Sequence, residues 1–121
     1  MKSKTLAVYC GSSSGNLHCY TQETLALGTL MAKRGVTLVY GGARFGLMGA
    51  LADSVLAGGG DVIGVIPESM MASEVAHPGL ERLEVVASMH ERKARMMSLA
   101  HGLLALPGGY GTLEELFEAL A

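Results

Sequence analysis

The sequence predicts an α/β fold in which helices cover both faces of a parallel sheet. Short apolar runs alternate with amphipathic segments along the chain, and glycine-rich turns follow most of the runs. The runs are continuously apolar, which is typical of strands buried on both faces of a parallel sheet. These observations together indicate repeated strand, turn and helix units.

Two such units are expected in the first half of the chain. Residues 5–11 form the first predicted strand, and a helix follows from about Thr21 to Arg34, with Gly35 in the C-cap position. Residues 36–42 form the second strand. The next helix covers 47–60, where apolar side chains recur at helical spacing: Leu47, Leu51, Val55 and Leu56.

Three further strands complete the predicted sheet, at 61–67, 83–89 and 103–109. Helices are expected over 90–102 and from Thr112 onward. Residues 68–82 are less regular, and Pro78 with Gly79 marks a turn there. The whole pattern predicts a Rossmann-like sheet.

Length, composition and charge exclude several classes of protein. With 121 residues, half of them apolar, the chain is expected to form one domain over 1–121. The formal charge of −2 argues against nucleic acid as a partner. No apolar stretch approaches the roughly 18 residues of a membrane span, so no membrane partner is expected.

The N-terminal region and the cysteines favour a cytoplasmic protein. The apolar run after Lys2 and Lys4 is too short for a signal peptide and leads directly into a glycine turn. Cys10 and Cys19 follow neither a CxxC nor a disulfide-framework spacing, so both are expected to be reduced thiols.

The turns at the carboxyl ends of the predicted strands indicate a phosphate site. In parallel sheets ligands bind at this edge, and three of its five turns are glycine-rich, those beginning at Cys10, Tyr40 and Leu106. Any one of them is equally well explained as a tight turn. Three on one edge favour a cradle of backbone N–H groups at helix N-termini, which binds anions.

The turns lack the motifs of several known phosphate-binding sites, and this excludes some kinds of phosphate compound. A dinucleotide site would show GxGxxG after the first strand and an acidic residue closing the second, and neither is present. No glycine precedes a Lys-Ser or Lys-Thr pair, so there is no P-loop. The four histidines have no metal-ligand spacing and are expected to be surface or hydrogen-bonded residues: His18, His77, His90 and His101. A mononucleotide or a sugar phosphate remains.

Several motifs resemble those of the Lonely Guy (LOG) family. They are YGG followed by GLMG, then HPGL, MHERKARM and PGGYGTLEELFEAL, and they cover nearly the whole chain in order. The resemblance implies hydrolysis of a nucleoside 5'-monophosphate, cytokinin riboside 5'-monophosphate or AMP, to free base and ribose 5-phosphate. It implies no metal or organic cofactor. The label "lysine decarboxylase" often given to this family requires a pyridoxal phosphate lysine, and only Lys93 is placed near the site.

The resemblance also implies the roles of individual residues. The family's catalytic pair falls on Arg92 and Glu115: the carboxylate would orient water and stabilise an oxocarbenium ion, and the guanidinium would hold phosphate or a sugar oxygen. The expected substrate-binding residues come from the glycine turns and the helix after MHERK, and they are Lys93, Gly108, Gly109, Tyr110, Gly111, Thr112, Leu113, Glu114, Gly11, Ser12, Gly41 and Gly42.

Structural explanations compete with these roles. Thr112 and Glu115 have the spacing of a capping box, and Arg92 could be a solvated helix residue, with Glu91 and Arg95 forming an ordinary i, i+4 pair. Three methionines near MHERK are expected to fill the core: Met89, Met96 and Met97. A non-catalytic nucleotide or cofactor carrier on the same fold, or a purely structural domain, therefore stays open.

Two departures from the family pattern concern the second turn and the C-terminal end. Ala43 stands where the family usually has a third glycine, and the chain ends at Ala121, where family members continue through another strand and further helices. We therefore expect a sheet that is C-terminally incomplete relative to the family. The resemblance also implies a homodimer.

Overall fold

A computed structural model of the chain describes residues 4–10, 18–44, 46–71 and 76–106. Strands and helices alternate in this part of the chain, and their bounds are β1 Thr5–Cys10, α1 His18–Lys33, β2 Thr37–Tyr40, α2 Gly46–Ala57, β3 Val62–Pro67, α3 Glu68–Met71, β4 Arg82–Val86, α4 Met89–Leu99 and β5 Gly102–Leu106. None of these helices combines the length and the apolar character needed to cross a membrane.

The strands form one sheet in the order β4-β3-β2-β1-β5, and every pairing is parallel. Alternate strand residues point to opposite faces. Leu38 and Tyr40 of β2 pack with α1 and α2 in one buried cluster, whereas Val39 packs with Met96 of α4 in the other. Helices therefore cover both faces, which confirms the predicted α/β fold.

Glycines in the left-handed region end two helices. Gly35 has a φ of 68°, and the N–H of the next residue, Val36, donates to the Met31 carbonyl at 2.8 Å, as expected of a helix C-cap. Gly59, with a φ of 80°, ends α2 in the same way, so the helix stops at Ala57 rather than at residue 60. Gly42, with a φ of 82°, follows β2, which ends at Tyr40 rather than at residue 42.

The boundary between β4 and α4 differs from the prediction because of a cap. Ser88 is the N-cap of α4: its Oγ accepts the N–H of Glu91 at 3.1 Å, and Glu91 Oε2 accepts the N–H of Ala87 at 3.0 Å. These bonds start the helix at Met89, a residue that hydropathy assigned to the strand. They also occupy Glu91, so Arg95 pairs with Glu84 instead, at 2.6 Å.

The methionines divide between core and surface. Met96 is buried beneath α4, as predicted, whereas the side chains of Met89 and Met97 are 57% and 52% exposed, so the core assignment is wrong for those two. Within the irregular segment before β4, one helical turn, α3, was not predicted. The predicted helix from Thr112 onward lies outside the described residues.

Candidate functional site

The carboxyl edge of the sheet brings together residues that are far apart in the sequence. Gly41 and Gly42 follow β2, α3 follows β3, and the first turn of α4 follows β4. Tyr9 lies near the end of β1 at the same edge. This is the edge at which parallel α/β sheets bind ligands.

Arg92 lies in the first turn of α4, and its guanidinium group packs over Gly41. A Cβ atom at Gly41 would lie 3.1 Å from both Cζ and Nη1 of Arg92. That separation is tighter than an ordinary carbon contact, so a larger residue at this position would push the guanidinium aside by a few tenths of an ångström. Glycine here allows the close approach.

The Arg92 guanidinium has little to satisfy its charge in the described part of the chain. Its one hydrogen bond there runs from Nη1 to the Met70 sulfur, at 3.8 Å. Burial lowers the pKa of Arg92, and the neighbouring Tyr9 acts in the opposite direction. A guanidinium stays protonated near neutral pH even so, and it carries five N–H donors. The group is thus half-buried and cationic, and most of its donors have no partner among the described residues.

Tyr9 contributes a second polar group to this edge. Its hydroxyl is buried and has no hydrogen-bond partner among the described residues. Buried polar atoms are nearly always paired in folded proteins, by protein, water or ligand. The phenol and the Arg92 guanidinium are therefore both able to donate to an anion or to a hydroxyl group placed between these elements.

The turn that carries the two glycines is held by its neighbours. Tyr40 is fully buried, and its hydroxyl donates to the Ala43 carbonyl at 2.6 Å. Burial, with a smaller contribution from the charge of Asp53, raises the pKa of Tyr40 well above its usual value, so the phenol keeps its proton. The His77 N–H donates to the Gly42 carbonyl at 2.8 Å. The glycine turn is thereby fixed from two sides.

Three of the candidate site residues identified from the sequence meet in the structure: Gly41, Gly42 and Arg92. Lys93 is the next residue on α4, and its side chain is exposed. The other candidate residues lie outside the described ranges, and they are Gly11, Ser12, Gly108, Gly109, Tyr110, Gly111, Thr112, Leu113, Glu114 and Glu115.

Three of the histidines behave as hydrogen-bonding or surface residues. His77 is buried and bonded to Asp53 through Nε2, His101 accepts the Thr5 N–H through Nδ1 at 2.9 Å, and His90 is exposed. Among residues 4–10, 18–44, 46–71 and 76–106, no group of three or more His, Cys, Asp or Glu side chains could hold a metal ion. The described polar groups nearest Arg92 at this edge are hydrogen-bond donors.

Sequence reasoning missed Tyr9, Met70 and the pairing of Asp53 with His77. The Asp53–His77 pair joins positions 24 residues apart on different elements, so no local spacing could reveal it. The only available signal was His-Pro-Gly at the start of a turn, where the ring accepts the N–H of Gly79 at 2.9 Å.

Comparison with known proteins finds a matching family model and relatives of high sequence identity. The family model described as "possible lysine decarboxylase" matches residues 48–121. A protein of Rhodococcoides fascians named cytokinin riboside 5'-monophosphate phosphoribohydrolase is 51% identical over 118 residues, which are 97% of this chain and 60% of that protein. The Arabidopsis thaliana relative of the same name, LOG1, is 46% identical over 119 residues, 98% of this chain and 56% of its own length. The chain therefore spans little more than half of these relatives.

Solved structures with lower sequence identity share the fold. The molybdenum cofactor carrier protein of Chlamydomonas reinhardtii superposes with a TM-score of 0.73 at 22% identity, over 98% of this chain and 71% of that one. A molybdenum cofactor binding protein of Rippkaea orientalis gives 0.74 at 21% identity, over 99% and 72% of the two chains. At these identities the likeness concerns the fold alone.

Proposed function

Since the chain belongs to the LOG family, we propose that it is a nucleoside 5'-monophosphate phosphoribohydrolase. The proposed substrates are cytokinin riboside 5'-monophosphate and AMP, and the products are the free base and ribose 5-phosphate. Support comes from relatives at 46% and 51% identity that carry this activity in their names. No metal or organic cofactor takes part in the proposed reaction.

The observation that carries the proposal is the half-buried guanidinium of Arg92 above Gly41. A Cβ added at Gly41 would lie 3.1 Å from the guanidinium, so glycine lets the cation pack closely over the backbone of the turn, where one ligand could contact both. A guanidinium binds phosphate in a fixed bidentate geometry, which a lysine ammonium does not provide. We assign Arg92 to the phosphate or to a ribose oxygen, with Lys93, Gly11, Ser12 and the PGGYGTLE turn completing the substrate site.

The proposed chemistry is the cleavage of one bond by water. The bond between C1′ and the base nitrogen breaks with its electron pair passing to the base, and the water oxygen bonds to C1′. One proton of the water goes to solvent or to the enzyme, and the base takes up a proton. The transition state has oxocarbenium character, which a carboxylate stabilises, and we assign this role and the orientation of water to Glu115.

A panel of nucleoside 5'-monophosphates tests this function. The chain is incubated with AMP, GMP, CMP, UMP and a cytokinin riboside 5'-monophosphate, and free base is measured by chromatography. We expect release of adenine or of the cytokinin base. Binding of the nucleotides without release of any base would contradict hydrolysis and favour the alternative, a non-catalytic nucleotide or cofactor carrier on the same fold.

We also propose that the protein acts in the cytoplasm as a homodimer. Met89 and Met97 of α4 and Leu103 of β5 are exposed apolar side chains on elements beside the site, and their burial between two copies would be favourable. Light scattering is expected to give the mass of a dimer, and a monodisperse monomer would contradict the assembly.

A further inference from the structure

The segment just before β4 is attached directly to the glycine turn. Ala76 forms an isolated antiparallel bridge with Ala43, and the N–H of His77 donates to the Gly42 carbonyl at 2.8 Å. A shift of this segment would therefore move the backbone on which the Arg92 guanidinium rests.

The hydrogen bonds of His77 determine its tautomer. The Gly79 N–H donates to Nδ1 at 2.9 Å, so Nδ1 carries no proton in this arrangement. In the neutral ring the proton is then on Nε2, which lies 2.5 Å from Asp53 Oδ1 and donates to it. Both nitrogens of the imidazole are thereby used. A bond to an ionised acceptor is shorter and stronger than one between neutral groups.

The Asp53 carboxylate and the His77 ring differ in their exposure to solvent. The His77 side chain is 9% exposed, whereas that of Asp53, on the surface of α2, is 65% exposed. An exposed carboxylate adds little to the stability of a fold. It nevertheless ties the buried ring of His77 to α2, while the Gly79 N–H holds the other ring nitrogen.

The other side of the turn allows little adjustment. Gly42 has a φ of 82°, and a Cβ there would lie 3.2 Å from Leu83 Cδ1 and 3.4 Å from Ile66 Cβ. The turn is thus packed against β3 and β4 on one side and bonded to His77 on the other. Its position follows that of the His77 backbone.

We propose that Asp53 and His77 are positioning residues for the anion site: through the His77–Gly42 bond they hold Gly41 at the place where the Arg92 guanidinium packs on it. The inference rests on the proposed function, because it assigns the pair to the site that binds the phosphate. Neither residue touches the substrate. A displacement of about 1 Å in such a site can lower turnover by as much as about 100-fold.

The test compares Asp53→Ala with Asp53→Asn and with the control Asp61→Ala. Alanine removes the acceptor of the His77 ring and suits an exposed helix position. Asparagine keeps an acceptor oxygen without the charge. Asp61 is also exposed, but it precedes β3 at the amino edge of the sheet, where its carbonyl accepts the N–H of Leu38.

Two readouts are measured on each full chain. Amide exchange by NMR reports the mobility of Gly42 and Ala43, and titration with inorganic phosphate, followed at the Arg92 Nε–H signal, reports the anion site without requiring turnover. We expect Asp53→Ala to speed exchange in the turn and to weaken phosphate binding by roughly 10-fold. In Asp53→Asn we expect both the amide exchange of the turn and the phosphate affinity to stay close to those of the parent chain. Asp61→Ala should match the parent chain in both.

The outcomes separate this inference from the proposed function. Unchanged phosphate binding in Asp53→Ala overturns the positioning role, whether or not the turn exchanges faster, because a purely structural pair would alter stability alone. Equal losses in Asp53→Ala and Asp61→Ala overturn it as well. If the parent chain binds phosphate at Arg92 but hydrolyses no nucleotide, the proposed function fails, and the phosphate titration still decides the role of the pair.

Discussion

Arg82 and Arg92 lie toward opposite edges of the same sheet and differ in what surrounds their charge. Arg82 begins β4 and donates from Nη2 to the Glu84 carboxylate at 3.2 Å. Arg92 lies in the first turn of α4 at the carboxyl edge, where its described hydrogen bond goes to the Met70 sulfur at 3.8 Å. The first cation is paired with an anion of its own chain, whereas the second has no carboxylate partner among residues 4–10, 18–44, 46–71 and 76–106.

The volume of a cavity does not by itself mark a ligand site in this sheet. A cavity of about 620 Å³ lies at the amino edge, lined by residues that include Thr5, Thr37, Asp61 and Arg82. Its arginine is already paired, and it lies away from the strand ends where parallel sheets bind ligands. A half-buried cation with no described anionic partner is the better guide to an anion site.

The largest expected effect of a substitution is that of Glu115→Gln. A neutral amide is a poor base for water and stabilises an oxocarbenium ion weakly, so we expect base release from AMP to fall roughly 100-fold or more. A capping box also accepts Gln, so the free energy of unfolding should change by only ~0.5 kcal/mol. Kinetics with Glu114→Gln as the control, together with thermal unfolding, checks both.

Near-normal turnover by a folded Glu115→Gln chain would make Glu115 a capping residue only. A larger loss in Glu114→Gln than in Glu115→Gln would move the catalytic carboxylate by one residue.

Replacing Gly41 tests the contact between the turn and Arg92. The added methyl of Gly41→Ala would meet the guanidinium at 3.1 Å, and the flexible end of Arg92 would move aside while the fold persists. We expect kcat/KM for AMP to fall roughly 10-fold. The matched variant is Gly35→Ala, whose left-handed φ of 68° makes it unstable by about 1 kcal/mol without touching the site.

Gly41→Ala should therefore lower activity while the fold persists, and Gly35→Ala should lower stability without a matching loss of activity. Activity measurements that placed the larger loss in Gly35→Ala would remove the special role of the Gly41 contact.

The smallest expected effect concerns the paired charges of β4. The hydrogen bond from Arg95, with a further one from Arg82, holds the pKa of Glu84 below its ordinary value of 4.5. The folded pKa is thus depressed, and the resulting stability is present above about pH 4.5 and disappears as the pH falls through the folded value. Glu84→Gln should lower Tm at pH 7 by only ~1–2 °C, since the pair is exposed.

Thermal unfolding of the parent and the Glu84→Gln chain across pH 3 to 7 measures the difference in Tm between them. This difference should become smaller as the pH falls. A difference that grows toward acid would contradict the hydrogen bonds from Arg95 and Arg82 as the cause of the lowered Glu84 pKa.

The sequence was a better guide to the strands than to their ends. Continuous apolar runs predicted all five described strands, because burial on both faces leaves a simple pattern. The helix α4 begins at Met89, one residue before the predicted start, because Ser88 caps it. A cap depends on side-chain geometry rather than on hydropathy. Gly35 was correctly predicted, since few residues other than glycine adopt its left-handed conformation.

The candidate site was only partly accessible to sequence reasoning. Arg92 and the glycine turn were found through motifs, but their contact could not be predicted without the order of the strands. Because β4 and β5 lie at opposite ends of the sheet, α4, which joins them, passes over β2. The Tyr9 hydroxyl, buried without a partner in the described part of the chain, and the Asp53–His77 bond are properties of packing between distant segments. Nothing in the local sequence determines them.

The central proposal is that Arg92, unlike Arg82, binds a nucleoside 5'-monophosphate at its phosphate or at a ribose oxygen, and the comparison of AMP with adenosine in the two arginine variants tests it most directly. We expect the parent chain to release adenine from AMP and to leave adenosine nearly untouched, because binding of the remote phosphate orients the sugar. Arg92→Ala should lose roughly 100-fold in kcat/KM for AMP, and Arg82→Ala should keep the preference of the parent. Comparable turnover of AMP and adenosine by the parent chain, or an equal loss in the two arginine variants, would contradict the account.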